Sequence, residues 1–322
     1  MKKVLVITPI CHIKNVLSTL EDIDNTFLVV LPDCSIKDFK KHNDAYAVFT
    51  NPNKSSIYLG RENLENFVNL RVICTASTGT VHIDKKYCEE NFIKLISLTE
   101  ERNVINKISS TAEHSFSLML SGLRNIPQAN KSALSGVWDY EPFIGRQINS
   151  LTVGVIGYGR LGTFFANYCD AFGAKVLVYD PYKSVNHPRI NQVENLEEIA
   201  SSSDVISLHV HVTDETLKMI DSYFLSKCKS SLVLVNTSRG EIVDEKDLIE
   251  FLSNNLKSKY CTDVLSEEII EKESNPILRF AVSNQSQLVL TPHIGGMTIE
   301  AQEMAFSHAA KLLKNEIEFN LN

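Results

Sequence analysis

The sequence lacks the cysteine patterns by which a disulfide scaffold or a zinc protein is recognised. Its seven cysteines are scattered over 322 residues, are odd in number and never occur as CxxC. This distribution argues against a disulfide framework and against a zinc site. It is typical of proteins from a reducing compartment, so we expect a cytoplasmic location and no bound metal.

Long apolar runs and an excess of basic residues are also missing. No run approaches the roughly 20 residues that span a membrane. The first apolar run is cut by Pro9 and is too short for the core of a signal peptide. Lys and Arg total 32 against 39 Asp and Glu, a net charge of −7, which argues against general binding to nucleic acids. We therefore expect neither a membrane nor a nucleic acid as a partner.

The chain instead contains two series of short apolar runs that alternate with amphipathic segments. The first series lies in residues 2–98 and the second begins at residue 151, with the polar segment 99–110 between them. Such alternation is typical of parallel sheets covered by helices. A chain of 322 residues is also long enough for two cores. We predict an α/β fold with two doubly wound parallel-sheet domains.

A glycine-rich turn opens the second series. Gly157, Gly159 and Gly162 form GxGxxG between a predicted strand and a predicted helix, and Asp180 ends the next strand. The first glycine permits a tight turn, the second lets backbone approach a pyrophosphate, and the third lets helix pack on strand. This context predicts a dinucleotide site. A carboxylate repels a 2′-phosphate, so NAD is favoured over NADP, although Lys183 keeps NADP as an alternative.

Three later strand ends carry polar side chains suited to hydride-transfer chemistry. Arg239 follows one apolar run, Glu267 and Glu268 follow another, and His293 follows a third. Parallel strands place their carboxyl ends on one rim, so these groups can converge. A histidine can protonate a carbonyl oxygen, a carboxylate can fix its tautomer, and an arginine can bind a substrate carboxylate. Periodicity leaves open which glutamate faces the histidine.

These motifs together resemble the D-isomer-specific 2-hydroxyacid dehydrogenases. The similarity runs from about residue 45 to 310 and rests on STAEH, GVIGYGRLG, VYDP, SLHVHVTDET, VNTSRGEIVDE, TDVLSEE and TPHIGG, in family order. It implies a Rossmann cofactor domain inserted into a flavodoxin-like substrate domain. We expect 1–101 and 295–322 to form the substrate domain and 102–294 the NAD-binding domain. The helix that begins with TAEH resembles the arm through which family members form homodimers.

The resemblance also assigns roles, residue by residue. It makes Arg239 the substrate anchor, His293 the acid/base, and Glu268, the fifth residue after Asp263, the group that tunes the histidine. Glu268 is therefore preferred to Glu267. Substrate binding is expected at Ser77, Thr78, Gly79, Arg239 and His293, and cofactor binding at Gly157, Tyr158, Gly159, Arg160, Leu161, Gly162, Asp180, His209, Thr216, Thr237, Ser238, Asp263, Gly295 and Gly296.

The function that this resemblance implies is interconversion of a 2-oxo acid and a D-(R)-2-hydroxy acid with NAD. The alternatives are an NAD-sensing binding protein of the co-repressor type and a family dehydrogenase acting on phosphite. Glu268 stands where formate enzymes have glutamine, which argues against formate. We expect phosphoglycerate not to be favoured, because segment 50–56 offers Lys54 in place of arginines and because we expect no regulatory domain after the tail helix. The sequence does not name the 2-oxo acid.

Overall fold

A computed structural model of the protein describes residues 1–52, 57–268 and 274–319. The chain divides into two compact units, the first formed by Met1–Ile108 with Gly296–Asn322 and the second by Ser109–Gly295. The second unit is therefore an insertion in the first. We expected the divisions at 101/102 and 294/295. The first crossing falls later because Ile105 belongs to the hydrophobic core of the first unit.

The helices and strands within the described residues alternate along most of the chain. The strands are β1 Lys2–Val6, β2 Thr26–Val30, β3 Ala47–Thr50, β4 Val72–Thr75, β5 Lys94–Ile96, β6 Thr152–Ile156, β7 Lys175–Tyr179, β8 Ile190–Gln192, β9 Val205–Leu208, β10 Val233–Asn236, β11 Lys259–Thr262 and β12 Leu288–Leu290. The α-helices are α1 Val16–Glu21, α2 Ile36–Lys40, α3 Arg61–Leu64, α4 Lys85–Glu90, α5 Arg102–Ile105, α6 Ser110–Arg124, α7 Ile126–Leu134, α8 Arg160–Ala171, α9 Leu196–Ser202, α10 Ser222–Lys227, α11 Glu245–Asn254, α12 Pro276–Ser283 and α13 Ile299–Phe319.

The first unit is built on a five-stranded parallel sheet in the order β2-β1-β3-β4-β5. This is the flavodoxin-like order. The central strands β3 and β4 are buried at every residue, as expected for apolar runs covered on both faces. One hydrophobic cluster, which includes Phe306 of α13, covers one face, and a second, which includes Phe39 of α2, covers the other.

The second unit is built on a seven-stranded parallel sheet in the order β12-β11-β10-β9-β6-β7-β8. The strand order reverses between β6 and β9, and ligands of such sheets bind outside the carboxyl ends of the strands at this point. The apolar runs of the second series in the sequence predict six of these strands. The seventh, β8, was missed because it is short, pairs only with β7 and exposes its polar residues. The predicted fold class is otherwise confirmed.

The helix that begins the second unit ends before the first proline that follows it. Pro127 in the sequence predicts an end or a kink at that residue, but α6 already ends at Arg124, where Asn125 adopts a left-handed conformation with φ 56°. Pro127 lies in the first turn of α7, where its missing N–H is no loss. Ser109 precedes α6 and donates a hydrogen bond to Glu113 at 2.5 Å. Among the described residues, no helix is both long and apolar enough to cross a membrane.

Candidate active site

The glycine loop, residues 157–162, follows β6 at the point where the strand order reverses. Gly157 has φ +91°, and a Cβ placed on it would lie 2.5 Å from the carbonyl oxygen of His209. A Cβ on Gly162 would lie 2.0 Å from the carbonyl oxygen of Gly157. A Cβ on Gly159, by contrast, would meet nothing within 4 Å. The fold itself thus requires two of these glycines, while Gly159 leaves space at the start of α8 for an anionic group.

Asp180 lies beside this loop, just after β7. Its carboxylate accepts hydrogen bonds from the backbone N–H groups of Tyr158 at 2.7 Å, Tyr182 at 2.9 Å and Lys183 at 3.1 Å. The bond from Tyr158 ties the carboxylate directly to the glycine loop. Asp180 also lines a cavity of about 440 Å³ between the ends of β7 and β8. The sequence spacing therefore brings an acid to the place where an adenosine ribose would lie next to a pyrophosphate.

His293 and Glu268 contact each other at the ends of β12 and β11. Nδ1 of His293 contacts Oε1 of Glu268, and the two side chains are 24% and 25% exposed. Oε2 of Glu268 accepts a hydrogen bond from the N–H of Leu265 at 3.3 Å. The neighbouring Glu267 is exposed to solvent and has a left-handed φ of 54°. The choice that periodicity left open thus falls on Glu268.

Asp263 stabilises the His293 loop, residues 291–295, by accepting hydrogen bonds from it. This carboxylate is 2% exposed and accepts hydrogen bonds from the N–H groups of Ile294 at 2.9 Å and Gly295 at 2.7 Å, and from the hydroxyl of Thr291 at 2.6 Å. His293 itself has a left-handed φ of 55°, a costly conformation for a residue that is not glycine. Asp263 therefore stabilises the strained backbone that carries the histidine.

His114 of α6 completes this network. Its Nε2 lies 2.8 Å from the hydroxyl of Thr291 and 3.3 Å from the Asp263 carboxylate. Burial acts to raise the pKa of Asp263, but the hydrogen bonds from His114, Thr291 and the backbone outweigh it and lower that pKa overall. We expected Asp263 to bind cofactor, whereas its carboxylate is occupied by protein donors. His114 and Thr291 were missed as functional residues, although both stand in the motifs TAEH and TPHIGG.

Arg239 follows β10, which is the neighbour of β11 in the sheet. The turn that carries it is braced by the buried Asn236, whose Nδ2 donates to the carbonyl of Arg239 at 2.8 Å and whose Oδ1 accepts from the N–H of Ser238 at 3.0 Å. Nη1 of the guanidinium donates to the carbonyl of Ser238 at 2.6 Å. Since β10, β11 and β12 are adjacent and parallel, Arg239, Glu268 and His293 leave the same rim of the sheet.

His209 and Thr216 follow β9, the strand next to the glycine loop. The ring of His209 lies 5.0 Å from that of Phe165, and its Nε2 lies 2.9 Å from the hydroxyl of Ser207. Burial lowers the pKa of His209 to about 3, so this ring is neutral at physiological pH. Thr216 donates a hydrogen bond to the carbonyl of His211 at 2.6 Å and thereby closes its own turn.

The remaining predicted residues lie on two different units. In the second unit, Thr237 is buried with its hydroxyl 2.5 Å from that of Ser115, and Ser238 donates to the carbonyl of Leu208 at 2.7 Å. Arg160 and Leu161 form the first turn of α8. In the first unit, Ser77 donates to the carbonyl of Gly79 at 2.6 Å, the carbonyl of Thr78 accepts from Thr99 at 2.9 Å, and Gly296 begins the returning segment.

Two expectations concern groups other than the cofactor. Among the described residues, no cluster of His, Cys, Asp and Glu has an arrangement that could hold a metal ion. Lys54, weighed above as a contact for a phosphate, lies outside the described residues. The site that the structure does describe is therefore one of backbone N–H groups, one arginine and a histidine–carboxylate pair.

Comparison with known proteins identifies the family. The model of the "D-isomer specific 2-hydroxyacid dehydrogenase, NAD binding domain" matches residues 116–295, more than half of the 322-residue chain. The chain therefore belongs to the D-isomer specific 2-hydroxyacid dehydrogenase family, and its second unit contains the NAD-binding domain. The predicted resemblance and the predicted cofactor are confirmed. The open space at Gly159 beside Asp180 fits the pyrophosphate and ribose of NAD.

Individual relatives agree with this assignment. The D-3-phosphoglycerate dehydrogenases of Archaeoglobus fulgidus and Methanocaldococcus jannaschii are 34% and 32% identical over 77% and 83% of this chain, but over 46% and 49% of their own length. The chain thus spans about half of these relatives. The D-lactate dehydrogenase of Aquifex aeolicus, solved with NAD and lactic acid, is 28% identical with a TM-score of 0.81, covering 99% of this chain and 96% of its own. The NAD-dependent formate dehydrogenase of Staphylococcus aureus, solved with NAD, is 26% identical with a TM-score of 0.83, covering 98% and 95%.

Proposed function

We propose that the protein is an NAD-dependent oxidoreductase that interconverts a 2-oxo acid and a D-(R)-2-hydroxy acid. The observation that carries this proposal is the contact between His293 and Glu268 on the rim that also bears Arg239. This rim belongs to the same unit as the glycine loop. An acid/base pair, a fixed cation and a dinucleotide site are the components that reduction of a carbonyl requires.

In the proposed reaction, His293 moves the proton. Bound NADH supplies the hydride for the carbonyl carbon, and NAD⁺ accepts it in the reverse direction. Nε2 of His293 donates a proton to the carbonyl oxygen during reduction and takes it back during oxidation. Glu268 accepts a hydrogen bond from Nδ1–H, which keeps Nε2 directed at the substrate.

Arg239 is proposed to hold the substrate. A guanidinium is always charged and can pair with a carboxylate in a bidentate geometry, while an N–H directed at the carbonyl polarises it. The turn at Ser77, Thr78 and Gly79 in the first unit is proposed to bind the substrate carboxylate through backbone N–H groups. The guanidinium of Arg239 donates a hydrogen bond to the carbonyl of the preceding residue, Ser238. The side chain is therefore oriented before substrate binds, which lowers the entropy cost of binding.

The proposed cofactor contacts follow the same logic. The glycine loop, with Tyr158, Arg160 and Leu161, surrounds the pyrophosphate, and Asp180 accepts hydrogen bonds from the ribose hydroxyls. A 2′-phosphate in place of the hydroxyl would be repelled by the Asp180 carboxylate, so we expect NAD to be preferred to NADP. Residues that follow the neighbouring strands complete the proposed site: His209, Thr216, Thr237, Ser238, Gly295 and Gly296.

We further propose that the protein acts as a homodimer in the cytoplasm. The segment after α7 exposes large apolar side chains, with Trp138 94% and Tyr140 77% exposed, next to Leu134 and Ile144. Several large exposed apolar side chains close together in the sequence are typical of an interaction site. Replacing Trp138 by Glu is expected to convert a dimer into monomers in sedimentation velocity experiments. A wild-type protein that sediments as a monomer at micromolar concentration would contradict this.

The reaction is tested by following NADH oxidation with a panel of 2-oxo acids. The panel comprises glyoxylate, pyruvate, hydroxypyruvate, 3-phosphohydroxypyruvate, 2-oxoglutarate and branched-chain and aromatic 2-oxo acids, each repeated with NADPH. We expect turnover of one class, with NADH preferred. Phosphite oxidation is measured in parallel. Absence of turnover with every compound, together with tight NADH binding, would favour a binding protein that senses NAD instead.

The role of His293 is tested by replacing it with alanine. General acid/base catalysis contributes about 10²–10⁴-fold to such reactions, so kcat is expected to fall by that factor. The Kd for NADH is expected to stay within about twofold, because the glycine loop does not depend on this side chain. The control is His308→Gln, which removes a histidine paired with Glu101 in the first unit. Unchanged kcat in His293→Ala would disprove the assignment.

A further inference from the structure

Glu245 is a buried carboxylate that has no role in the site described above. It connects the chain that follows β10 with the chain that follows β11. Glu245 begins α11 and is 7% exposed. Its Oε1 accepts a hydrogen bond from the N–H of Ser266 at 3.0 Å, and its Oε2 accepts one from Nδ2 of Asn275 at 2.8 Å. Ser266 and Asn275 lie on either side of Glu268 in the chain. One carboxylate thus bridges two points that flank the residue in contact with His293.

Asn275 makes this bridge rigid. It is 4% exposed, and its Nδ2 donates to the carbonyl of Ser266 at 3.2 Å as well as to Glu245. Its Oδ1 accepts from the N–H groups of Ile277 at 2.9 Å and Leu278 at 3.4 Å, so it also caps α12. The amide is therefore fixed in one orientation by four partners, and its two N–H bonds can be directed only at Ser266 and Glu245.

The bracing segment, residues 240–245, meets the chain before Glu268 at two further points. A Cβ on Gly240 would lie 2.0 Å from backbone atoms of both Leu265 and Ser266, so the two main chains touch there. Oε1 of Glu241 accepts a hydrogen bond from the N–H of Glu267 at 3.3 Å. The bracing segment begins directly after Arg239. It therefore couples the arginine turn to the chain that leads into Glu268.

Burying the charged carboxylate of Glu245 costs free energy, so its presence calls for a structural reason. Burial raises the pKa of Glu245, and the neighbouring Glu241 adds to this effect, against hydrogen bonds from Ser266 and Asn275 that lower the pKa. A hydrophobic side chain of similar size would fill the space without the cost of desolvation. Such a side chain would not fix the direction of two N–H donors, which is what the carboxylate does.

We propose that Glu245 is a positioning residue that sets where Glu268 contacts His293 and keeps that contact in register with Arg239. Its catalytic consequence rests on the proposed function. Glu245 is proposed to act through the chain that carries Glu268, because it accepts a hydrogen bond from the N–H of Ser266.

The experiment compares Glu245→Gln with Glu250→Gln, which removes an exposed carboxylate from the same helix. Glutamine keeps the size of the side chain, but one of its two polar atoms must then present N–H groups to a donor. Because a displacement of about 1 Å can cost about 10²-fold in rate, kcat is expected to fall by about 10–100-fold. The Kd for NADH is expected to stay within twofold. The control is expected to match wild type.

Two measurements separate positioning from a general loss of structure. In a Glu268→Gln background, Glu245→Gln is expected to have little further effect on kcat, because residues that act through one another are not additive. The pair Glu245→Gln with Asn275→Asp reverses donor and acceptor between these two side chains, but it also turns a carboxylate oxygen toward the carbonyl of Ser266, so kcat is expected to recover only in part. Additive losses, together with a swap that restores nothing, would overturn the proposal.

A readout without turnover distinguishes this proposal from the proposed function. An imidazole N–H bonded to a carboxylate gives a low-field proton NMR signal, which is assigned to His293 by its loss in His293→Gln. Glu245→Gln is expected to shift or broaden this signal, and Glu250→Gln to leave it unchanged. A shift without any wild-type turnover would support the positioning role and refute the dehydrogenase. Turnover with both kcat and the signal unchanged in Glu245→Gln would refute the positioning role.

Discussion

The neutral histidine beside the glycine loop leads to a prediction about stability that can be worked numerically. Burial of the His209 ring against Phe165 lowers its pKa from 6.5 to about 3. In the unfolded chain the same side chain is solvated and titrates near its ordinary value. Between these two values the unfolded chain binds a proton that the folded protein does not bind.

The sign of the effect follows from this difference. Well above pH 6.5 both states are neutral and His209 contributes no pH dependence. As the pH falls toward the folded-state value of about 3, protonation of the unfolded chain removes stability at about 1.4 kcal/mol per pH unit. Between pH 8 and pH 5 the expected loss from this one residue is therefore about 2 kcal/mol.

The assay compares wild type with His209→Gln, whose amide cannot titrate but can still bond to Ser207. Hydrogen exchange of the backbone amides of β9 reports the free energy of opening the second unit at pH 8 and pH 5. We expect wild type to lose about 2 kcal/mol more than the variant over this range. Equal losses would refute the argument that the imidazole is buried in its neutral form.

Three further predictions concern the loops of the site. Gly162→Ala places a Cβ 2.0 Å from the carbonyl oxygen of Gly157, so the Kd for NADH, measured by fluorescence, should rise at least about tenfold; an unchanged Kd would contradict the packing argument. Asp263→Asn should lower the free energy of unfolding in urea by about 2–3 kcal/mol at pH 7. That difference should shrink as the pH falls below 3.8, because the lowered pKa of Asp263 makes its contribution depend on the ionised form; a constant difference would exclude this cause. Asp180→Ala should weaken NADH binding and narrow the preference over NADPH in paired titrations; a retained preference would place the selectivity elsewhere.

The sequence by itself determined the class of fold and the position of the glycine loop. The apolar runs of β9 and β10 are buried at every residue. Such runs can be recognised in the sequence alone, and they predict strands that are covered on both faces of the sheet. The glycine loop could also be predicted from the sequence, because only glycine permits the close contacts at Gly157 and Gly162. Both signals are local, since burial and backbone conformation act on each residue where it stands in the chain.

The tertiary structure alone decided which side chains meet. Glu268 contacts His293, and the left-handed backbone conformation of the neighbouring Glu267 is a feature that periodicity does not reveal. Nothing in their spacing linked His114 to Asp263 or Glu245 to Asn275, since these pairs come from separate elements. Such partners are selected by the requirement that every buried polar group finds a donor or acceptor in space. Only the folded chain shows where that donor or acceptor lies.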